Sequence, residues 1–347
     1  MSVRISGRAG PIGPCSRPVA PGRYDATMKA IQVNETGGPE VMVWADVDEP
    51  TPGPDQVVVD VAAAGLNYID TYHRTGLYPM PLPFTPGLEG AGTVTAVGGD
   101  VTDVAVGDTV AWTGSIGSYA EKVAMPAAST VPVPAGVDLE RAAAVMLQGM
   151  TAHYLVTDTF PLAAGDRCLI HAGAGGVGLL LIQMAKMIGA EVFTTVGTAE
   201  KAELTRGAGA DHVILYRDVD FGDAVEEIAG ERALDVVYDG VGQSVFRRSL
   251  DLLRPRGMMA TFGNASGPVE PISPLEFAPS LFVTRPSLFH YIENRDELLR
   301  RSGDLFSWIA AGKLDVRIGA RVPIAEAARA HTMLEGRQTT GKVILTP

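Results

Sequence analysis

The chain is short of thiols: Cys15 and Cys168 are the only cysteines among 347 residues. Two thiols build neither a disulfide framework nor a four-cysteine zinc lobe, so the sequence reads as an intracellular, cytoplasmic protein held by its core. Positive charge is scarce as well, with 28 Lys and Arg against 40 Asp and Glu and a formal net charge of −12. A nucleic-acid partner needs clustered Lys and Arg, so none is expected. No apolar run reaches the roughly 18–20 residues of a membrane span, and no membrane partner is expected either. The six histidines show no paired ligand spacing. With so few thiols beside them, no metal site is expected. Residues 1–27 lack the continuous apolar stretch of a secretory signal; with Arg4, Arg8, Arg17 and Arg23 among prolines and glycines, they read as a disordered extension.

Glycine is plentiful at 40 residues, and three of these stand at an informative spacing. In Leu169-Ile-His-Ala-Gly173-Ala-Gly175-Gly-Val-Gly178 an apolar strand stops at the glycines and an apolar helix, Val177 to Ile188, comes directly after. Gly173 allows the tight turn, Gly175 lets backbone approach a pyrophosphate, and Gly178 lets helix and strand pack closely. The helix N-terminus then offers free N–H groups and positive dipole to phosphates. Such a glycine pattern alone is weak, but the next hundred or so residues of the chain supply its context. Strands at Glu191–Val196, His212–Leu215, Leu234–Asp239 and Met258–Phe262 alternate with helices at Ala199–Arg206, Phe221–Ala229 and Gln243–Leu253, and Leu281–Thr284 offers a sixth strand. This alternation predicts an α/β fold with a doubly wound parallel sheet of the Rossmann type. His171, which ends the first strand, reads as a structural histidine with its hydrogen bonds met.

The end of the second strand selects the dinucleotide. An NAD site places Asp or Glu there for the ribose 2′-hydroxyl, whereas this chain reads Val196-Gly197-Thr198-Ala-Glu-Lys201. A 2′-phosphate meets no repulsion at Gly197. Thr198 can donate a hydrogen bond, Lys201 brings a cation, and Tyr216 after the third strand brings a phenol or a cover for the adenine. The expected cofactor is NADPH.

The remaining chain needs a fold of its own. Met28 to about Gly149 is rich in Val, Gly and Pro, with strand-like runs at Lys29–Val33, Gln56–Ala63, Gly92–Val97 and Asp108–Trp112, an all-β pattern. After Pro286 an amphipathic helix, about Arg295 to Ala311, precedes an extended Lys342–Leu345 that can return to the β-rich part. The expected organisation is a disordered extension over 1–27, a β-rich domain over 28–149 and 286–347, and a Rossmann domain over 150–285.

Specific blocks run through this frame: Gly65-Leu-Asn67-Tyr68-Ile-Asp70-Thr-Tyr72-His-Arg-Thr-Gly76-Leu-Tyr78-Pro, Pro86-Gly-Leu-Glu89-Gly-Ala-Gly92, Gln148-Gly-Met-Thr151-Ala-His-Tyr154, Phe262-Gly263-Asn264-Ala-Ser266-Gly267, Thr284-Arg285-Pro-Ser287 and Thr340-Gly-Lys-Val. In this order they resemble the zinc-independent, zeta-crystallin-like quinone oxidoreductases of the medium-chain dehydrogenase/reductase superfamily, across essentially all of the chain after Met28. The resemblance implies a GroES-like β-rich catalytic domain with the Rossmann domain set into it. It places Asn67, Tyr72 and Tyr78 in the cleft as substrate-site candidates, with no general acid assigned. Around the cofactor it places Asn67, Tyr68, Tyr72, Thr151, Tyr154, Gly175, Gly176, Val177, Phe262, Gly263, Asn264, Ser266, Val283, Arg285 and Arg337, beside the Gly197, Thr198, Lys201 and Tyr216 cluster. Asn67 stands where the alcohol dehydrogenases of the superfamily carry a metal-binding Cys, and Leu88 where they carry His.

Without a Lewis acid, the expected chemistry is hydride transfer to an acceptor already electrophilic, with positioning as the main catalytic device. Quinones come first. The alternatives are an enoyl or alkenal reductase of the same fold, and a protein that holds NADPH with little turnover, as crystallin-type or RNA-binding relatives do. The resemblance also implies a homodimer paired through the exposed strand near Leu281–Thr284.

Overall fold

Valine-rich alternation after Met28 makes strands that bury one face, and the computed structural model describes them within residues 26–278 and 280–347. Of the extension expected over 1–27, residues 1–25 lie outside the described residues. Strands β1 (Thr27–Val33) and β2 (Met42–Asp48) pair antiparallel. The chain continues through β3 (Gln56–Gly65), β4 (Glu89–Val97), β5 (Thr109–Thr113), β6 (Lys122–Pro126) and β7 (Thr130–Pro132). From Val59 to Ala63 in β3, Val59, Val61 and Ala63 are buried while Asp60 and Ala62 face outward, the period-2 pattern of a half-covered strand, whereas Val57 and Val58 before them are both buried.

This first part is β-rich, yet two helices correct the all-β expectation. Helix α1 (Tyr68–Thr75) starts in a capping box of Asn67 and Asp70 and ends at Gly76, whose φ of 79° suits a residue without Cβ. Eight residues are too few for a periodic signal to stand out. Helix α2 (Leu139–Tyr154) is capped by Asp138, whose side chain accepts from the Arg141 N–H. Its Ala142, Ala143 and Ala144 are all fully buried because α2 packs on the β-rich sheet and on the next domain's helices at once. The one-sided stripe that marks a surface helix is therefore missing. A π-helical turn, residues 155–159, continues it. The expected division at 149/150 falls inside α2.

The second part holds β8 (Arg167–Ile170), α3 (Gly176–Ile188), β9 (Glu191–Val196), α4 (Ala199–Gly207), β10 (His212–Leu215), α5 (Phe221–Ala229), β11 (Leu234–Asp239), α6 (Phe246–Leu252), β12 (Leu253–Thr261) and β13 (Phe282–Thr284). Its six strands are parallel in the order β10-β9-β8-β11-β12-β13, the Rossmann order. The chain returns through α7 (Arg295–Ala310), β14 (Ile318–Pro323), α8 (Ala327–Glu335) and β15 (Lys342–Thr346). β15 joins β3, so the seven-stranded sheet runs β14-β15-β3-β4-β5-β7 with β6 also on β3. The last strand thus completes the sheet that β3 to β7 began, and the Rossmann sheet is inserted in the chain between β7 and β14.

Candidate active site

A cavity of about 740 Å³ opens beside the carboxyl ends of β8 and β11, where the strand order reverses, and reaches across to α1. Open α/β sheets place their ligands at that switch point. Gly175, Gly176 and Val177 line it at the start of α3. A Cβ on Gly178 would lie 2.6 Å from the carbonyl oxygens of Ala172 and Gly173, so only glycine lets α3 approach the turn. The Gly341 N–H donates to the Ala174 carbonyl at 2.8 Å and ties this loop to β15. His171 behind it is buried with both ring nitrogens engaged, by Thr195 at 3.0 Å and Ser249 at 2.9 Å.

At one end of the cavity Gly197, Lys201, Tyr216 and Arg337 converge. The Lys201 ammonium donates to the Arg337 carbonyl at 2.7 Å. Partial burial, with the Arg217 and Arg337 cations nearby, lowers its pKa from the ordinary lysine value. Arg337 is held at φ 56°, a left-handed conformation. Thr198 does not line the cavity; it caps α4, accepting from the Lys201 N–H at 3.3 Å.

At the other end α1 presents Tyr68 and Tyr72, one turn apart, with Asn67 before them and Tyr78 beyond. The Tyr72 and Tyr78 rings meet edge to face at 5.2 Å. The Tyr72 oxygen accepts from the Asn264 N–H at 2.9 Å, and the Tyr78 oxygen accepts from Arg285 Nη2 at 3.2 Å. Burial pushes the Tyr72 phenol up to about 12 against the lowering effect of the Asn264 N–H. Tyr68 donates to the Leu334 carbonyl at 3.3 Å. Thr151, Tyr154, Phe262, Gly263 and Arg285 also line the cavity, and Tyr154 stacks flat on Tyr291 at 4.1 Å. Asn264, Ser266 and Val283 do not. Asn264 donates its backbone N–H to Tyr72 and accepts from Arg285 Nη2 at 3.1 Å with its side-chain oxygen, the Ser266 hydroxyl donates to the Val241 carbonyl, and Val283 sits on the outer edge of the sheet.

Beneath Asn67 lies a buried polar knot that the sequence reading missed. Lys342, 1 % exposed, pairs with Glu89, 0 % exposed, and also donates to Asn67 Oδ1 at 3.0 Å. Asn67 Oδ1 takes a second bond from Gln148 Nε2 at 3.1 Å, while its Nδ2 donates to Glu89 at 2.7 Å and to the Gly65 carbonyl at 3.3 Å. Both faces of the Asn67 amide are therefore occupied, so its side chain has no spare capacity for the cofactor contact that the resemblance implies. Glu89 also accepts from the Leu147 N–H at 2.7 Å. Asp70, fully buried, accepts from the Asn67 N–H at 2.8 Å and from the Tyr119 hydroxyl at 2.9 Å. Glu89 and Lys342 both stand in blocks that carried the resemblance, but nothing local tells a buried charge from a solvated one. This donor set does not fit zinc: the Lys342 ammonium occupies Glu89, and Asp70 is taken up by the Asn67 N–H and the Tyr119 hydroxyl. Among the described residues no group of three or more His, Cys, Asp and Glu is placed to hold a metal ion.

A GroES-like part closed on an inserted Rossmann sheet, with the cavity between them, defines the medium-chain dehydrogenase/reductase class. Residues 53–135 match the alcohol dehydrogenase GroES-like domain and residues 176–307 match the zinc-binding dehydrogenase family. The chain is 45 % identical over 323 residues to a quinone oxidoreductase of Pseudomonas aeruginosa, covering 92 % of this chain and 99 % of that one. It is 43 % identical to a 2-haloacrylate reductase of a Burkholderia species over 329 residues, covering 92 % and 98 %. The crystal structure of an Escherichia coli quinone oxidoreductase complexed with NADPH superposes with a TM-score of 0.90 at 41 % identity, covering 92 % of this chain and 100 % of that one. The chain belongs to the zinc-independent quinone oxidoreductase family within that class.

Proposed function

We propose that the protein reduces quinones with NADPH. The observation that carries this reading is the meeting, in one cavity, of a glycine cradle, a carboxylate-free strand end beside Lys201, Tyr216 and Arg337, and a tyrosine pair. In this reading the free N–H groups at the start of α3 take the pyrophosphate, and Lys201, Tyr216 and Arg337 surround the 2′-phosphate. Thr151, Tyr154, Phe262 and Gly263 bound the nicotinamide half. Bound NADPH supplies the hydride. Tyr72 and Tyr78 flank the acceptor, and Tyr72, whose oxygen already accepts from Asn264, keeps its proton to stabilise the acceptor oxygen as charge develops there. The buried knot holds Asn67 and the start of α1 rigid beneath them. The names of the Pseudomonas and Escherichia coli relatives, the latter solved with NADPH, support this assignment.

A second reading, reduction of α,β-unsaturated carbonyl compounds, is favoured by the Burkholderia relative, whose name specifies an activated alkene. We also assign the GroES-like domain to residues 28–149 and 286–347 and the Rossmann domain to 150–285, in a cytoplasmic homodimer paired through β13.

Fluorescence titration with NADPH and NADH, followed by NADPH consumption with 1,4-benzoquinone and a neutral enone, tests the reading. Tight, NADPH-selective binding with quinone-dependent oxidation is the expected result. Equal affinity for NADH would remove the phosphate role of Lys201. NADPH binding without turnover on either acceptor would bring the low-turnover alternative forward.

A further inference from the structure

Three cations line the cavity: Lys201, Arg337 and Arg285. Under the proposed NADPH reading the first two stand at the 2′-phosphate and the pyrophosphate faces the start of α3, so the dinucleotide leaves Arg285 without an anion. Arg285 stands at the opposite end, exposed, and among the described residues it has no carboxylate within ion-pair distance. Its bonds go to the Thr261 carbonyl at 2.9 Å, the Tyr78 oxygen at 3.2 Å and, from the same Nη2, the Asn264 side-chain oxygen at 3.1 Å. These use one N–H of Nη1 and both of Nη2, out of five on the guanidinium, so the second N–H of Nη1 and that of Nε remain for a further partner. The phenols beside it are of the same polarity, whereas the buried Asp239 carboxyl, outside ion-pair distance, lies near enough to feel the Arg285 charge. The oxygens of Tyr72 and Tyr78 are already accepting, and among the described residues neither phenol has an acceptor for its own proton. Asp220 is the one Asp or Glu among the lining residues, on the α5 side of the cavity. The acceptor end of the cavity is therefore rich in hydrogen-bond donors and holds one unpaired positive charge, with Leu147, Ile69 and Phe289 as apolar walls.

We propose that Arg285 binds a carboxylate of the hydride acceptor, so that the site reduces electron-poor alkenes conjugated to a carboxylate. The chemistry explains why an arginine matters there. Adding hydride to the β-carbon of a 2-enoate pushes the π electrons onto the carboxylate and creates a second negative charge. A guanidinium that turns its remaining N–H groups to the carboxylate offsets that charge as it develops, and the tyrosine hydroxyls add donors to the same group. The α-carbon then takes a proton from water. One NADPH and one proton are consumed, and NADP⁺ and the saturated carboxylate are released.

The test compares 2-chloroacrylate with its methyl ester, and 1,4-benzoquinone as a carboxylate-free acceptor, in the wild type, Arg285→Met and Arg285→Lys. The wild type is expected to oxidise NADPH with the acid. In R285M the ratio of kcat/KM for acid over ester falls by about ten- to hundredfold, the range of one charge-assisted pair, and R285K keeps an intermediate ratio. A parallel NADPH titration of each variant reads the cofactor site separately. Equal proportional loss on acid and ester in R285M would overturn the proposal by making Arg285 merely structural. A wild type that turns over benzoquinone but not the acid would overturn it and leave the quinone reading standing. A wild type inert toward all three would sink the reductase reading and this inference with it.

Discussion

Lys201 already serves the protein, since its ammonium holds the carbonyl of Arg337 and so fixes the strap between α8 and β15 over the cavity. A 2′-phosphate arriving there competes for, or shares, a donor that is in place, and the nearby arginine cations make the lysine readier to accept an anion. Lys201→Ala is expected to weaken NADPH binding by about ten- to hundredfold and NADH binding by less than about threefold. Paired fluorescence titrations decide it, and a parallel loss for both nucleotides would reassign Lys201 to the strap alone. Asp70 carries a different prediction. Burial pushes its carboxyl up to about 7 from 3.8, against the lowering effects of the Asn67 N–H, the Tyr119 hydroxyl and the Lys342 charge. Between about pH 4 and pH 7 the folded chain keeps a proton that the unfolded chain has released, so the Asp70 contribution to stability falls as pH rises through that window. Asp70→Asn removes this dependence and keeps an acceptor oxygen for the two donors. Its stability relative to the wild type should climb by up to about 1.4 kcal/mol per pH unit across the window and level off above it. His171 and His331, whose pKa values burial lowers to about 3, push the wild-type curve the opposite way, which is why the difference between the two proteins is the quantity to follow. Urea unfolding at pH 4.5, 6 and 8 that gave a constant offset would contradict the account.

Elements differ in how openly their residues announce them. The parallel strands β9, β10 and β11 begin and end where the sequence predicts; β9 and β11 are short, largely buried runs each followed by a glycine, and β10 is a short apolar run on the sheet edge. β12 starts earlier than expected, at Leu253, since its first residues pair irregularly with Leu234 before regular pairing begins at Met258. α2 hides, as a helix buried between two domains has no polar stripe to reveal its period. Among candidate site residues, the glycine cradle and Lys201 stand in local motifs and Tyr72 and Tyr78 come with the family resemblance, and the structure brings all of them to one cavity. The Lys342–Glu89 pair was not legible, because its partners meet only when β15 returns beside β3 and β4. The cradle itself yields an element-level prediction. A Cβ on Gly176 would strike the tip of the Gln148 side chain, whereas one on Gly178 would strike backbone at Ala172 and Gly173. A side-chain tip can swing away, but backbone must shift the whole of α3. Gly178→Ala is expected to cost about 1–3 kcal/mol and to weaken NADPH binding more than Gly176→Ala does. Thermal melts and NADPH titrations of the two variants check this, and a larger stability loss in G176A would show that Gln148 cannot move.

At the scale of the whole molecule, the Rossmann sheet ends in a strand that asks for a partner. β13 pairs with β12 on one side, and among the described residues the strand order places nothing on the other. Phe282 is 57 % exposed and Val283 38 %, with Leu275 nearby in sequence at 86 %. An open edge with apolar side chains is a template for pairing with another chain, and nothing of the usual protection appears in β13, which has neither Lys nor Pro within Phe282–Thr284. A second copy related by a two-fold axis satisfies it, since an edge strand opposed to itself runs antiparallel and the same patch meets its twin. Closed two-fold pairing also consumes the edge, so association stops at two chains. Such pairing joins the copies through their Rossmann sheets, and a dimer of this kind leaves both GroES-like parts at the outside. Light scattering at micromolar concentration is therefore expected to give twice the chain mass for the wild type. Phe282→Asp together with Val283→Asp, which buries two carboxylates opposite their own images, should return the single-chain mass. Because Arg285 comes directly after this strand, the dissociated variant should also lose activity through the acceptor end of the cavity, as a fall in kcat/KM at nearly unchanged NADPH affinity. A wild-type monomer, or a double variant that stays dimeric, would move the interface elsewhere.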